Sequence, residues 1–391
     1  MKITGIETHI LVAPDVRQDA NSSSQDDLIV IIHTDEGISG VGETDTGPWL
    51  ARAAIESPGS HVMAQSIQEL LIGCDPFDTA AIYHRLYTYT CMSGRRGAVI
   101  CALGAIDMAL WDIKGKAVGR PCWQLLGGAM QESIVPYASL QPEGKNADEY
   151  HRYMVDWAKT ARQYGFRGAK LECSLGGLYS HRGVKGSDDE MTEMVRACRA
   201  ALGKDFTIMV DVVYQWRDAK SALRTLRRWE DLDIYFVETP LLVDNLDGYA
   251  YLAERSPIRI ATGEWNNTRF EFQELIDRGK VDVVQPDVGR VGGLTEAVRV
   301  CQYAEDRGRL VVPHCWKTGI GIAASAHLAA AVPNCPFIEY LPTELCDSPL
   351  RRELVSDQLA MIDGKLRLPQ APGLGFEVNS AALEKFRAKN A

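Results

Sequence analysis

From residue 133 onward, short β-type runs alternate with amphipathic helical stretches, which restricts this part of the chain to a sheet built from βαβ units. The runs cover residues 134–138, 168–171, 207–212, 235–237, 258–261, 281–285, 310–312 and 337–338. Eight such units in about 210 residues fit a (β/α)8 barrel better than an open sheet, although the pattern alone permits either.

The residues that end these runs carry the second constraint. Lys170 closes the second run and Asp211 the third, and Glu238, Glu264, Asp287, His314 and Glu339 follow the next five. From Asp211 the steps are 27, 26, 23, 27 and 25 residues, about one β/α unit each. A barrel turns that regularity into a ring of side chains at the carboxyl-terminal mouth, where barrel active sites lie.

The first 130 residues read as α+β. Two β-rich runs, 27–33 and 38–43, are joined by Thr34-Asp35-Glu36-Gly37, a hairpin signature. Helical stretches are expected at 62–72, 79–86 and 97–117; in the last, Val99, Leu103, Ile106, Leu110 and Ile113 recur at three- and four-residue spacing. The tail carries Pro372-Gly373-Leu374-Gly375 and a short helix from about Ala381, expected to pack back onto the first unit. The expected division is 1–130 as the α+β unit, 131–350 as the barrel and 351–391 as the returning segment.

The formal net charge is −10 and no long basic run occurs, so nucleic acid and anionic membrane surfaces are not expected partners. An anionic ligand would need a local positive group, such as a metal ion or a placed lysine. The opening MKITGIETHI alternates like a strand and not like the core of a signal peptide. The most apolar stretches, 97–113 and 320–332, are interrupted by Asp107 and His327 and fall short of the roughly 18 apolar residues a span requires. Ten scattered cysteines without a CxxC pair read as reduced thiols, which places the expected location in the cytoplasm.

Asp211, Glu238 and Glu264 would stand on neighbouring strand ends, where bare carboxylates repel and raise one another's pKa. All-oxygen ligation suits a hard divalent ion, Mg²⁺ above all; the bland alternative pairs each acid with an arginine outside the mouth. Asp287 one unit before His314 would fix the imidazole's tautomer and make it a base. Lys170 and Glu172, two apart on a strand, point into the same space. Lys170 could hold a substrate carboxylate; Glu172 could form a simple ion pair or transfer a proton.

The chain resembles the mandelate racemase/muconate lactonizing enzyme family of the enolase superfamily, specifically its mandelate racemase branch. The carriers are the run from Ala105-Ile106-Asp107 to Lys114-Gly115-Lys116, Leu126-Gly127-Gly128, Gly168-Ala169-Lys170, Val210-Asp211 and Phe236-Val237-Glu238-Thr239-Pro240. Thr262-Gly263-Glu264, Gln285-Pro286-Asp287, Gly292-Gly293, Pro313-His314 and Pro372-Gly373-Leu374-Gly375 complete them. The resemblance implies a modified (β/α)8 TIM-type barrel under an α+β N-terminal capping domain. It implies one Mg²⁺ per subunit on Asp211, Glu238 and Glu264, a His314–Asp287 base, and Lys170 and Glu339 around the substrate carboxylate. It also implies homo-oligomers, from dimer to octamer. Two positions depart from the family pattern: Glu172 stands where many relatives carry a second lysine, and Val213 where an asparagine is usual.

The expected activity is Mg²⁺-dependent abstraction of the proton α to a carboxylate, followed by β-hydroxyl loss to give a 2-keto-3-deoxy acid from an aldonate or aldarate. The alternative within the family is epimerisation, racemisation or sugar-lactone cycloisomerisation, with Glu172 as second acid/base. A metal-free glycosidase using Glu238 and Glu264, or a non-catalytic binding protein, is the competing reading. Residues 289–293 read as a tight strand-to-helix turn, since no Walker lysine follows them. Specificity is expected in the loops at 15–26 and 43–49, with Arg290 and Trp49 as candidate substrate contacts and Arg95 and Arg96 as candidates to face the mouth. The stretch 181–187 reads as a loop able to fold over a polyhydroxy acid, or as a plain solvated loop.

Overall fold

The computed structural model describes residues 1–20, 22–181, 183–346, 348–355 and 359–389. The N-terminal unit is an antiparallel sheet of β1 (Ile3–Val12), β2 (Asp26–Thr34) and β3 (Ser39–Thr44), followed by α1 (Pro48–Glu56), α2 (Ile67–Leu71), α3 (Thr79–Gly94) and α4 (Ala98–Val118). After α5 (Cys122–Leu125) and β4 (Ser133–Ile134), the β/α series begins at β5 (Pro136–Leu140) and α6 (Ala147–Gln163). It continues through β6 (Gly168–Glu172), α7 (Asp188–Leu202), β7 (Thr207–Asp211), α8 (Ala219–Arg228), β8 (Ile234–Glu238), α9 (Leu246–Arg255), β9 (Arg259–Thr262) and α10 (Thr268–Asp277). Then come β10 (Val283–Val284), α11 (Val288–Val291), α12 (Leu294–Asp306), β11 (Leu310–Val311), α13 (Gly319–Ala331) and β12 (Ile338–Tyr340). The tail holds α14 (Pro349–Glu353), the hairpin strands β13 (Met361–Ile362) and β14 (Lys365–Arg367), and α15 (Ser380–Phe386).

The eight strands β5 to β12 form one parallel sheet, and the last pairs with the first (Glu339 opposite Tyr137), so the sheet curls round on itself. Because strand side chains alternate with period two, each strand contributes every second residue to the interior. Tyr137, Met209, Phe236, Ala261, Val283 and Val312 form the apolar plug there. Two residues further along the third and fourth strands the inward positions are Asp211 and Glu238, and this step places the polar ring directly on the plug.

The N-terminal sheet meets α4 through a glycine face. A Cβ on Gly40 or Gly42 would collide with the carbonyl oxygens of Ala109 and Ala105, so the helix lies against bare β3 backbone. The other side of α4 packs on the barrel: Trp111 Nε1 donates to Thr295 Oγ1 at 2.9 Å, and Asp107 Oδ2 accepts from Thr295 N at 2.8 Å. The tail contacts the N-terminal unit, with Ala388 N donating to Ile10 O at 2.9 Å and Leu374 N to Asp112 Oδ1 at 2.9 Å.

Four local expectations change. Helix α1 was not expected; it begins at Pro48, inside the 43–49 stretch read as a loop, with that proline in its first turn. Residues 62–66 are not helical; α2 starts after Ser66, whose side chain accepts from Glu69 N. Helix α3 runs on to Gly94, past the expected stop at residue 86. The presumed turn at 289–293 is mostly the one-turn helix α11, capped by Gly292 at φ 112°. No described helix is long and apolar enough to cross a membrane, and all ten cysteines are free of disulfides.

Candidate active site

Strand order brings the run-ending residues together. Lys170 Nζ lies 2.7 Å from Glu238 Oε1, 2.8 Å from Glu339 Oε1 and 3.6 Å from Asp211 Oδ2. Glu238 Oε2 accepts from Gln285 Nε2 at 2.5 Å, and Glu339 Oε2 accepts from Cys315 N at 3.0 Å. His314 Nδ1 is 2.7 Å from Asp287 Oδ2, whose other oxygen accepts from Gly289 N at 2.7 Å. On its far side, His314 Nε2 stands 3.2 Å from Glu264 Oε2, while Glu264 Oε1 accepts from Tyr214 OH at 2.8 Å. All seven ionisable groups are buried.

Backbone strain is concentrated where these side chains are delivered. Val213, Tyr214 and Thr239 occupy positive φ (43°, 57° and 46°), a conformation costly for β-branched residues. The strain serves Asp211, whose Oδ1 accepts from Val213 N at 2.9 Å and from Thr239 Oγ1 at 2.8 Å. No residue type at these positions announces that conformation from sequence alone.

The electrostatics are those of crowded acids. Burial, followed by repulsion from Glu238 and Glu264, holds the Asp211 carboxyl well above the usual range, and burial with Glu339 and Glu264 raises Glu238. Burial would lower the Lys170 ammonium, but Glu238 and Glu339 push it well above its ordinary value. Burial likewise works against a charged His314, yet Glu339, Asp287 and Glu264 lift it to about 9. An imidazole at about 9 is protonated near neutral pH and cannot accept a proton. Neutralising the surrounding carboxylates would return it toward the range of a base.

Asp211 and Glu238 share one lysine with Glu339, and among the described residues Glu264 has only the His314 imidazole beside it, so Asp211, Glu238 and Glu264 form a buried donor set short of positive charge. Their hard oxygen atoms suit a divalent cation of the Mg²⁺ type. A tighter group exists next to them: Asp45, Asp287 and His314 bring ligand atoms within 4.8 Å of one another, close enough to hold a metal. That group already has its cations, since Arg290 is 2.8 Å and Lys317 3.7 Å from the Asp45 carboxylate. The charge deficit therefore lies with Asp211, Glu238 and Glu264.

Above the ring is a cavity of about 1020 Å³, lined by residues 16–20, 22, 23, 25 and 26 and Asp45 from the N-terminal unit and by Lys170, Glu172, Asp211, Glu264 and His314 from the barrel. Glu172 shares this cavity with Lys170 but pairs elsewhere: it accepts from Gln141 Nε2 and lies 3.1 Å from His181 Nε2. Arg290 lines the cavity while tied to Asp45 and to the backbone oxygen of Glu264 at 3.1 Å. Trp49 does not line it; it sits half exposed on α1, and Trp265 and Trp316 are the lining tryptophans. Arg95 and Arg96 are also absent from the lining, and Arg96 pairs with Glu271 at 2.6 Å. In the 181–187 stretch, Arg182 lies outside the described residues, while His181 borders a second cavity of about 770 Å³.

Asp45, Lys317, Gln285 and His181 were not anticipated as site residues. Asp45 falls in the 43–49 loop flagged for specificity, but its partners Arg290 and Lys317 lie far along the chain. Lys317 Nζ also donates to Ser23 O at 2.6 Å and to Asp26 Oδ1 at 3.0 Å, which fixes the cavity's roof to the barrel.

Family models match both parts of the chain: the mandelate racemase/muconate lactonizing enzyme N-terminal domain over residues 7–127, and the enolase C-terminal domain-like model over residues 153–382. The chain is 31% identical to D-galactarolactone cycloisomerase of Agrobacterium fabrum over 99% of both chains. It is 30% identical to L-rhamnonate dehydratase of Saccharopolyspora erythraea, over 90% of this chain and 83% of that one. The crystal structure of the 3,6-anhydro-D-galactonate cycloisomerase from Zobellia galactanivorans superposes with a TM-score of 0.85 at 29% identity, covering 100% of each chain.

Proposed function

Because the chain belongs to the mandelate racemase/muconate lactonizing enzyme family of the enolase superfamily, we propose that it removes the proton α to the carboxylate of an acid sugar. The net reaction in this reading is dehydration of an aldonate or aldarate to a 2-keto-3-deoxy acid. Relatives at about 30% identity include acid-sugar dehydratases and a cycloisomerase, which supports this chemistry without naming a substrate.

A Mg²⁺ ion held by Asp211, Glu238 and Glu264 would supply Lewis-acid stabilisation of the charge that develops on the substrate carboxylate. Lys170, in contact with Glu238 and 3.6 Å from Asp211, adds a second positive charge beside these carboxylates, and Glu339, bonded to Lys170 and Cys315 N, orients it. His314 Nε2 takes the α-proton while its Nδ1–H donates to Asp287, which stabilises the imidazolium. The imidazolium then returns that proton to the β-hydroxyl as the Cβ–O bond breaks on the same face, so one histidine serves both steps. The observation that carries this reading is the 2.7 Å His314–Asp287 pair beside three strand-end carboxylates.

The test is incubation of the purified protein and Mg²⁺ with a panel of aldonic and aldaric acids, followed by a keto-acid assay. If no acid sugar turns over while His314→Asn leaves some other activity intact, the dehydratase reading fails. The second reading, epimerisation or lactone cycloisomerisation with Glu172 as acid/base, draws on the placement of Glu172 in the cavity wall. It predicts solvent deuterium at the α position without loss of water. The free thiols fit a cytoplasmic location, and the partner is a small carboxylate, with neither nucleic acid nor membrane.

A further inference from the structure

We propose that His181 is a proton relay through the wall between the two cavities, supplying Glu172 with a proton that Glu172 delivers to C3 of the enol left by β-hydroxyl loss. This rests on the dehydratase reading above and adds the step that turns its enol into the 2-keto acid.

Glu172 lines the 1020 Å³ cavity and His181 the 770 Å³ cavity, while Gln141 lines both and donates to Glu172 Oε2. His181 Nε2 stands 3.1 Å from Glu172 Oε1 and 3.3 Å from Tyr150 OH. The Tyr150 hydroxyl donates its one proton to the backbone oxygen of Glu172 at 2.9 Å, so toward His181 it can only accept. A carboxylate and this hydroxyl both ask Nε2 for a hydrogen, which fixes the tautomer with its N–H aimed at Glu172. The imidazole is held by the Tyr150 ring, 5.1 Å away between centroids, and by Val184 N, which donates to His181 O at 3.0 Å. Glu143 and Lys145, on the lining of the second cavity, are exposed, so that side of the wall opens to water. Two side chains thus span the wall from substrate to solvent.

The dehydration leaves work for such a pair. His314 gives its proton to the departing hydroxyl, which leaves as water, and the remaining C2(OH)=C3 enol must gain a proton at C3 to become a ketone. His314 follows β11 and Glu172 ends β6, with β5 and β12 between them around the ring, so the two groups reach the cavity from different walls. The C2=C3 electron pair takes the proton of the Glu172 carboxyl, the C2 hydroxyl proton passes to water, and C2–O becomes the carbonyl. His181, as imidazolium, returns a proton to Glu172 through Nε2 and is reprotonated from water in the second cavity. No net proton is consumed.

Exchange of the C3 protons of a 2-keto acid is this step in reverse and needs no dehydration. The test incubates 2-keto-3-deoxy-D-gluconate, and separately 2-oxobutyrate, with the full chain and MgCl₂ in D₂O and follows C3 by proton NMR. Exchange faster than without protein is expected, falling about 10²-fold or more in Glu172→Gln and in His181→Ala. Exogenous imidazole should restore exchange in His181→Ala and not in Glu172→Gln, a rescue that a purely structural histidine would not show. No exchange of either probe beyond the protein-free rate, exchange that survives in either variant, or failure of imidazole to rescue His181→Ala overturns the relay. The two proposals fail separately. Relayed C3 exchange without α-proton exchange from any aldonate or aldarate sinks the proposed function, and α-proton exchange without protein-dependent C3 exchange sinks the relay alone.

Discussion

Lys170 and Glu238 are joined at 2.7 Å in the interior of the barrel, and both are almost wholly excluded from solvent. The lysine also neutralises Glu339 and faces Asp211, so the carboxylates depend on it. Removing one partner of a buried charge pair typically costs about 3–5 kcal/mol. Lys170→Met should therefore lower stability by roughly that amount in urea unfolding followed in EDTA. An unchanged midpoint would show that the acids do not rely on the lysine.

Asp287 holds His314 through Nδ1 and is itself fixed by Gly289 N. Asp287→Asn preserves the shape but cannot stabilise an imidazolium. It should slow α-proton exchange roughly 10²–10⁴-fold, read by proton NMR in D₂O, with little change in melting temperature.

His327, buried in α13, accepts from Trp123 N through Nδ1 at 3.2 Å, and burial holds its pKa down to about 4 against a smaller opposing effect of the Leu374 backbone. The unfolded chain takes up this proton near pH 6.5 and the folded one only near pH 4. Protons therefore favour unfolding across that window: the site's full stability is present above about pH 6.5 and is lost as pH falls toward 4, by about 3 kcal/mol in all. His327→Gln should flatten the stability curve between pH 4.5 and 7 in urea titrations.

Gly42 lies against Ala105 O of α4 with no room for a methyl group. Gly42→Ala must separate the N-terminal sheet from the helix that joins it to the barrel. A loss of about 3 kcal/mol or more is expected in chemical denaturation, whereas Gly37→Ala, in open space at the hairpin, should show only the smaller cost of its positive φ.

The barrel was readable from sequence because six successive strands, from the third on, end in an ionisable group at a spacing of about one β/α unit, and a parallel sheet converts that spacing directly into adjacency. Lys170, Asp211, Glu238, Asp287, His314 and Glu339 come together for this reason alone. Asp45 was hidden because its partners are Arg290 and Lys317, and nothing local ties the β3 end to them. Trp49 was misplaced because the chain after Gly47 forms a helix, which turns the indole away from the cavity. A closer reading of Pro48 at a helix start and of Ser66 three residues before Glu69 would have placed α1 and α2. The period-two rule correctly brought Glu172 into the same cavity as Lys170, but could not show Gln141 and His181 as its partners.

The most direct measurement is α-proton exchange in D₂O with an acid-sugar substrate, followed by NMR with MgCl₂, with EDTA, and with the His314→Asn and Asp211→Asn variants. Exchange should require both the ion and the imidazole, vanishing in EDTA and in either variant. Exchange that continues in EDTA, or in the absence of His314, would contradict a cation-assisted proton transfer to that histidine.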